Sequence, residues 1–310
     1  MTSFEPFALP SPTGATLNVY RDLSAKAPRA VVQINHGLAE HAARYGRFAA
    51  FLAERGFVTY AHDHRGHGAT TAPDAPPRMF APSGGWEKVI ADTEAVHAHI
   101  ATAHPGVPVI TFGHSMGGLV ALNHAFSHPG RARALAVWNA NFSAGLQGRA
   151  AQLILKWERA RLGHDAVSRM LPKLTFQPWA RQIKNRRTDF DWLSRDPAEV
   201  DKYIADPLCG WDASVAMWQD VFAMIFRGAH DAPFAALDKA MPVLLVGGEC
   251  DPATNGGRAV KDLARRMRRL GFTDANGRIY AETRHETLNE INRQGAMEDF
   301  AAWAVRALVA

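Results

Sequence analysis

The stretch from Val107 to Phe126 reads VPVITFGHSMGGLVALNHAF and contains a G-x-S-x-G motif centred on Ser115. The apolar run before the motif is typical of a buried strand, and the residues after it are compatible with a helix. A strand that turns sharply into a helix lifts the serine oxygen out of the sheet, and only small residues fit on both sides of so tight a bend. The pattern therefore predicts Ser115 as a nucleophile. A glycine-rich turn that holds an ordinary serine is the alternative, because the motif alone often arises by chance.

A serine nucleophile needs a histidine that takes its proton and an acid that orients this histidine. Where this turn occurs, the acid and then the histidine come later in the chain, each after a sheet strand. His285 is the only histidine beyond residue 230, and it follows a short strand pattern and precedes a helical one. We therefore predict His285 as the base.

The acid is expected after the preceding strand, which is the apolar run Met241–Gly248. Asp251 follows this run and is the preferred acid. Glu249 is a rival two residues earlier, whereas Asp262 lies in a helical pattern that directs it away from the strand ends. An alternative is that Asp251 only caps a helix that begins near Thr254.

The oxyanion of an acyl-transfer reaction needs two backbone N–H groups. One is expected from Met116, which follows the nucleophile. The run Ala30–Glu40 is a strand that ends in His36 and Gly37, and it predicts Leu38 as the second donor. His36 is expected to brace this loop by hydrogen bonding rather than to act as a second base.

Four blocks of sequence occur in order along most of the chain: HGLAEHAARY at 36–45, DHRGHG at 63–68, GHSMG at 113–117 and RHETLNE at 284–290. Together they resemble the monoacylglycerol lipase and lysophospholipase branch of the α/β-hydrolases, of the serine aminopeptidase S33 type. The resemblance implies the α/β-hydrolase fold, a triad of Ser115, Asp251 and His285, and an oxyanion hole formed by Leu38 and Met116. Many relatives have a small residue at position 38 and a serine at 42, where this chain has leucine and alanine. Leu38 is expected to narrow the acyl pocket.

The expected function is hydrolysis of carboxylic esters with an apolar acyl chain, through an acyl-enzyme on Ser115. The resemblance implies monoacylglycerols or lysophospholipids as substrates. One alternative is a peptidase or amidase, because the same groups cleave amides. A second is a small-ligand receptor of the same fold with vestigial turnover.

Strand and helix patterns alternate along the chain, which predicts an α/β fold with a mainly parallel sheet covered by helices on both faces. The predicted strands lie near 15–22, 30–35, 57–61, 108–112, 134–139, 242–247 and 277–281, and the predicted helices near 42–55, 86–103, 116–128, 257–270 and 288–308. The last helix is expected to bury Leu288, Ile291, Met297, Phe300, Trp303 and Leu308. The alternation stops between Trp138 and Met241, which is too long a stretch for a loop. We therefore predict a core of residues 1–140 and 233–310 with a helical cap, or lid, inserted at 141–232.

The first helix predicted in the cap carries one apolar stripe, which consists of Leu146, Ala150, Leu153, Ile154 and Trp157. Arg149, Lys156, Arg159 and Arg161 lie beside or opposite it. From Arg149 to Arg187, ten lysines and arginines stand against two carboxylates, a net charge of +8, whereas Thr188 to Asp231 has three against nine, a net charge of −6. Two interpretations remain open: the stripe contacts a membrane or micelle surface, or it packs on the core with its charges solvated or paired.

The composition favours a globular enzyme, with 47% hydrophobic residues in a chain of 310. The net charge of +5 comes without a nucleic-acid-binding motif, so no nucleic-acid partner is expected. No cofactor is predicted, and no metal, because His97 and His99 point to different faces of a helix. Cys209 and Cys250 predict no disulfide, and Cys250 is expected to be a small buried residue. The first residues show no basic and apolar regions of a secretion signal, and no stretch approaches 18 uninterrupted apolar residues, so neither a signal nor a membrane span is expected. The expected location is therefore cytoplasmic, with peripheral membrane contact as the alternative.

Overall fold

The computed structural model of the protein describes residues 4–143 and 145–309. Its centre is one eight-stranded sheet with the strand order β1-β2-β4-β3-β5-β6-β7-β8. The strands are β1 (Glu5–Pro10), β2 (Thr16–Asp22), β3 (Ala30–Asn35), β4 (Phe57–His62), β5 (Val109–His114), β6 (Ala134–Trp138), β7 (Val243–Gly248) and β8 (Ala275–Tyr280). The pairs β1–β2 and β2–β4 are antiparallel, and all later pairs are parallel. The predicted α/β-hydrolase architecture with a mainly parallel sheet is confirmed.

Within the described residues, ten α-helices flank or follow these strands. They are α1 (Gly46–Ala53), α2 (Gly85–Ala103), α3 (Met116–Ser127), α4 (Gly145–Leu162), α5 (Leu171–Leu174), α6 (Phe176–Gln182), α7 (Pro197–Ala205), α8 (Val215–Ala229), α9 (Arg258–Arg269) and α10 (Arg293–Val309). Short 3-10 turns occur at Ala42–Tyr45, Ala232–Ala236, Pro252–Thr254 and Thr287–Asn289.

The strands in the middle of the sheet are buried on both faces. In β6, Ala134, Ala136 and Trp138 pack in one cluster with α1 and α10. Leu135 and Val137 belong to the opposite cluster, which includes α3 and α9. Because successive side chains of a strand point to opposite faces, a continuous apolar run is the sequence that such a two-sided core requires.

Helices α4 to α8 all lie between β6 and β7, where the β/α alternation was predicted to stop. Helix α8 packs against α3, and the Asn123 side chain of α3 donates a hydrogen bond of 3.1 Å to the Met224 carbonyl of α8. The inserted helices are therefore fixed to the helix that follows Ser115.

Two details differ from the sequence predictions. The C-terminal α-helix begins at Arg293 rather than near 288, so Ile291 lies outside it and is 62% exposed instead of buried. Cys250 was expected to be buried and is exposed, because it lies in the turn after β7. Cys209 and Cys250 are both free thiols.

Candidate active site

The turn after β5 holds Ser115 in a strained conformation, with φ 55° and ψ −119°. The Ser115 N–H donates to the Trp138 carbonyl over 2.8 Å, which fixes the turn to β6. A Cβ atom on Gly113 would lie 2.0 Å from the Gly117 carbonyl oxygen, and one on Gly117 would lie 2.0 Å from the Asn35 carbonyl oxygen. Both flanking glycines are therefore required by backbone contacts, because no side chain fits at either position.

The other predicted residues also follow the carboxyl ends of strands. Leu38 comes after β3, Asp251 after β7 and His285 after β8. Because these strands run parallel to one another in the same sheet, their carboxyl ends lie along one edge. Four distant segments of the chain are thus brought to the same edge.

His285 and Asp251 form a buried pair. The Nδ1 atom of His285 lies 3.0 Å from Oδ1 of Asp251, and the two residues are 3% and 1% exposed. The ring of His285 packs against the ring of Trp192 with centroids 4.9 Å apart, and its backbone N–H donates to the Trp192 carbonyl. The inserted segment therefore helps to hold the histidine in position.

The carboxylate of Asp251 accepts several other hydrogen bonds. The donors are Asn139 Nδ2 at 3.0 Å, Thr254 Oγ1 at 2.8 Å and the Ala253 N–H at 2.9 Å. Burial alone would raise the pKa of this carboxyl, but the nearby His285 and these side-chain hydrogen bonds outweigh it and keep the pKa below its usual value. Asp251 is therefore an anion at neutral pH.

Glu249 has a different environment from Asp251. It is exposed, and its Oε2 accepts a hydrogen bond of 3.1 Å from the Glu282 N–H. Asp262 lies on α9 and pairs with Arg265. Of the three carboxylates weighed from the sequence, only Asp251 has a hydrogen bond to His285 within the described residues.

The loop after β3 is braced from below by His36, as the sequence predicts. Its Nε2 accepts a hydrogen bond of 2.9 Å from the His64 N–H, and the residue is fully buried. Burial lowers the pKa of His36 to about 3, so the ring is neutral and able to accept this bond.

A buried ionic network beneath the same loop was not predicted. Oε1 of Glu40 accepts from the Gly37 N–H at 2.6 Å and lies 3.4 Å from His114 Nδ1. His114 in turn contacts the His285 carbonyl through Nε2 at 3.0 Å. Arg44 pairs with both Glu40 and Glu286. The network thus connects the loop that contains Leu38 with the loop that contains His285.

The charges in this network support one another. Burial by itself would lower the pKa of His114, but the hydrogen bond and charge of Glu40 raise it above the usual value. For Glu40, burial would raise the pKa, and the charge of Arg44 together with His114 lowers it well below the usual value. The Glu40 carboxylate therefore stays charged beside the peptide of Gly37.

A cavity of about 620 Å³ opens above the strand ends. Ser115, His285, Leu38 and Met116 all line it, so the structure brings these four predicted residues to one pocket. Most of the remaining wall is apolar and comes from the inserted helices, for example Ile154, Leu171, Phe176, Trp179, Trp218 and Val221. A pocket of this size and lining suits an apolar ligand with a polar group at the strand ends.

The chain matches the model of the serine aminopeptidase, S33 family over residues 26–292. It belongs to this family. The monoacylglycerol lipase of Mycolicibacterium smegmatis is 30% identical over 283 residues, which are 90% of this chain and 89% of the relative. The human monoglyceride lipase is 28% identical over 232 residues, 72% of this chain and 66% of the relative. The family resemblance predicted from the four sequence blocks is confirmed.

Solved structures agree on the fold. A carboxyl esterase from Bacillus coagulans superimposes with a TM-score of 0.87 at 22% identity, and covers 99% of this chain and 100% of its own. The monoacylglycerol lipase of Paleococcus ferrophilus has a TM-score of 0.72 at 23% identity, with 93% and 99% covered. The sequence relatives identify this S33-family chain as a carboxylic ester hydrolase similar to monoacylglycerol lipases.

Two further residues of this S33-family site were missed in the sequence. Asn139 holds the Asp251 carboxylate and has a positive φ of 52°. It directly follows β6, and an asparagine at a strand end was the available signal. Trp192 packs on His285 from a turn between α6 and α7, and no local pattern marks that contact.

No helix within residues 4–143 and 145–309 is both long enough and apolar enough to span a bilayer.

Proposed function

We propose that Ser115, His285 and Asp251 form a catalytic triad that cleaves esters through an acyl-enzyme. His285 takes the Ser115 Oγ proton, and this oxygen forms a bond to the ester carbonyl carbon. When the tetrahedral intermediate collapses, the ester C–O bond breaks and His285 returns the proton to the leaving alcohol. Water, deprotonated by the same histidine, then attacks the acyl carbon. The bond between this carbon and Ser115 Oγ breaks, His285 returns the proton to Oγ, and the carboxylic acid is released. The observation that carries this proposal is the buried His285–Asp251 pair, whose histidine lines the same mostly apolar cavity as Ser115.

The oxyanion of both tetrahedral intermediates is assigned to the N–H groups of Leu38 and Met116. The support is that both residues line the cavity with Ser115. The hydrogen bond from the Gly37 N–H to Glu40 fixes the His36–Gly37 peptide, which is next to the peptide that carries the Leu38 N–H. A donor that is already oriented stabilises the developing charge without reorganisation.

The proposed substrates are monoacylglycerols or lysophospholipids. The apolar wall supplied by the inserted helices suits one acyl chain, and the relatives named monoacylglycerol and monoglyceride lipase support a small polar head group. Residues 141–232 would then act as a lid on a core of residues 1–140 and 233–310.

The outer surface of α4 is proposed to contact a membrane or micelle. The side chains of Leu146, Leu153 and Trp157 are 84%, 67% and 56% exposed. Arg149 and Lys156 on the same helix are exposed and form no ion pair within the described residues. Exposed apolar side chains beside free cations favour an anionic lipid surface. The protein would then work in the cytoplasm, peripheral to the membrane.

The proposal is tested with a panel of p-nitrophenyl esters of increasing chain length, together with monoacylglycerols and lysophospholipids. We expect kcat/KM to rise with acyl length until the cavity is filled, because each buried methylene is worth ~0.8 kcal/mol. A matched amide is included, because faster cleavage of the amide would favour the peptidase alternative. Absence of turnover on every ester, with ligand binding retained, would favour a receptor.

A further inference from the structure

A cluster of metal-binding side chains lies between α2 and α3, outside the cavity. His124 lies in the last turn of α3, and His128 is the residue that ends this helix. The two are spaced i and i+4, which places them on one face of the helix. Glu94 of α2 faces them, so three donors from two helices meet.

The distances between these donors are short. Oε2 of Glu94 lies 2.9 Å from Nε2 of His124 and 3.8 Å from Nδ1 of His128. The three donor atoms all lie within 4.8 Å of one another. Tetrahedral zinc with bonds near 2.1 Å needs donor atoms about 3.4 Å apart. The observed separations lie on either side of this value, so small side-chain movements would make room for an ion.

The surroundings of Glu94 also fit a metal ligand. Its other oxygen, Oε1, pairs with the Arg131 guanidinium at 2.5 Å, which leaves Oε2 directed at the imidazoles. Ligating carboxylates are commonly oriented by such an outer partner. His124 is buried, whereas the His128 side chain is 33% exposed, so an ion could enter from solvent on that side.

We propose that Glu94, His124 and His128 form a site for a divalent transition-metal ion of the zinc type. Two imidazoles and one carboxylate are a donor set that holds Zn²⁺ with a fourth position open to water. The site would cross-link α2 to α3, the helix that begins directly after Ser115. The sequence analysis predicts no metal, because it is based on the spacing of His97 and His99. The proposed site uses a different pair, His124 and His128, which are spaced i and i+4.

The expected affinity is micromolar rather than tighter. Only three protein ligands are available, and Nδ1 of His124 is buried without a hydrogen-bond partner within the described residues. When Nε2 binds a metal, Nδ1 carries the ring proton, and a buried N–H without an acceptor costs binding energy.

A second group of potential metal ligands provides a control for the proposed site. His41, Asp206 and Cys209 also have ligand atoms within 4.8 Å of one another. There, His41 Nε2 already pairs with Asp206 Oδ2 at 2.8 Å, and a thiol would have to ionise. Burial raises the pKa of that Cys209 thiol well above its usual value, so this group is the weaker candidate.

The test uses the tag-free full-length protein after treatment with a chelator. Zn²⁺ binding is measured by titration calorimetry, Co²⁺ binding by its visible d–d absorption, and thermal unfolding with and without Zn²⁺. We expect one ion per chain and a higher Tm when Zn²⁺ is in ~100-fold excess over Kd. Glu94→Gln and His128→Gln should each weaken binding by at least ~10-fold and reduce the Tm shift at the same Zn²⁺ concentration to about half or less.

Two control variants keep the result interpretable. His99→Gln removes a histidine elsewhere on α2, and Cys209→Ser removes the second group; both should bind Zn²⁺ like the wild type. The Tm of each variant without metal shows whether it is folded. Failure of the wild type to bind at up to ~100 µM Zn²⁺, above the micromolar range of such sites, would overturn the proposal. Binding unaffected by Glu94→Gln and His128→Gln, or lost in Cys209→Ser, would overturn it as well.

Discussion

The Asp251 carboxylate combines two roles that looked like alternatives in the sequence. One oxygen accepts from both His285 Nδ1 and the Ala253 N–H, so the residue caps the 3-10 turn that follows and also pairs with the histidine. The other oxygen accepts from Asn139 and Thr254. Because four donors fix the carboxylate, its Oδ1 atom accepts the hydrogen bond from His285 in one defined position. This preorganisation is what a base that must keep one tautomer needs.

Because Asp251 and Glu249 lie in different environments, we expect different losses of kcat when each is replaced by its isosteric amide. Asp251→Asn should favour the wrong tautomer of His285 and lower kcat by roughly 10⁴-fold. Glu249→Gln should lower it far less, because within the described part of the chain this exposed side chain makes a single hydrogen bond, to the Glu282 N–H. Steady-state hydrolysis of a soluble p-nitrophenyl ester measures both. The reverse ranking would transfer the acid role to Glu249.

For single residues, the sequence supplies candidates for the groups that acyl-transfer chemistry requires. A serine in its turn, a histidine late in the chain and an acid between them can be found from motif and order. Asn139 and the Glu40–His114 network could not be found in this way, because their contacts join residues far apart in sequence. Glu40 and His114 lie in recognisable blocks, but the hydrogen bond from His114 to the His285 carbonyl depends on how β5 and β8 are placed in the sheet.

Helix α4 divides its apolar residues between two surfaces. Ile154 and Ala150 line the cavity, whereas Leu146, Leu153 and Trp157 face solvent. Each of the two interpretations made from the sequence therefore fits part of the stripe. The sequence gives the helical spacing of the apolar residues, but it does not show which of them face the cavity and which face solvent. A long stripe can contribute to both surfaces.

The exposed part of α4 predicts a substrate-dependent defect. The double change Leu153→Ser and Trp157→Ser should leave turnover of a soluble butyrate ester within about 2-fold, because this chemistry needs only the groups around Ser115. Partitioning onto anionic vesicles should fall at least ~10-fold, because the variant loses the favourable free energy of burying two apolar side chains in the lipid surface. Turnover of long-chain substrate on those vesicles should fall with it. Co-sedimentation and rate assays measure the two effects.

Ile291 provides the matched control for these α4 changes, because it is 62% exposed and lies outside the inserted helices. Ile291→Ser should change neither vesicle binding nor long-chain turnover. If the double α4 variant instead lost activity on both esters together with thermal stability, the stripe would be part of the packed core.

Two elements differ from the sequence predictions for physical reasons. The sequence does not predict strand β1, because Glu5–Pro10 contains prolines and buries no full face. Only a strand at the edge of a sheet tolerates these features. Helix α10 was started too early because Leu288 is buried, although it lies in a separate 3-10 turn. Both cases depend on neighbours in the fold rather than on local sequence.

A group of neighbouring histidines is buried beneath the loop after β3. His36, His62, His64 and His67 are at most 3% exposed, and the ring of His64 lies 4.4 Å from that of His36 and 4.7 Å from that of His62. Burial lowers the pKa of His36 and His67 to about 3 and that of His62 to about 4. All of these rings are therefore neutral in the folded protein at neutral pH.

This cluster predicts acid sensitivity of the fold. The folded pKa values lie below the unfolded value of about 6.5, so the unfolded chain binds more protons as the pH falls below 6.5. The free energy of unfolding should therefore decrease between pH 6.5 and 5, with a limiting slope of about 1.4 kcal/mol per pH unit for each such histidine. Urea unfolding at several pH values measures the slope.

His62→Gln should reduce that slope, because one titrating ring is removed. His230→Gln, at an exposed position, should leave it unchanged. A free energy of unfolding that stays constant from pH 6.5 to 5 would contradict the assignment of neutral buried rings.

Reaction with a fluorophosphonate probe tests whether Ser115 carries the acyl group. We expect stoichiometric labelling of the wild type at Ser115, located by peptide mass spectrometry, with parallel loss of esterase activity. Ser115→Ala should fold with an unchanged Tm, remain unlabelled and lose on the order of 10⁴-fold or more in kcat. Labelling at another residue, or esterase activity that survives in Ser115→Ala, would contradict it.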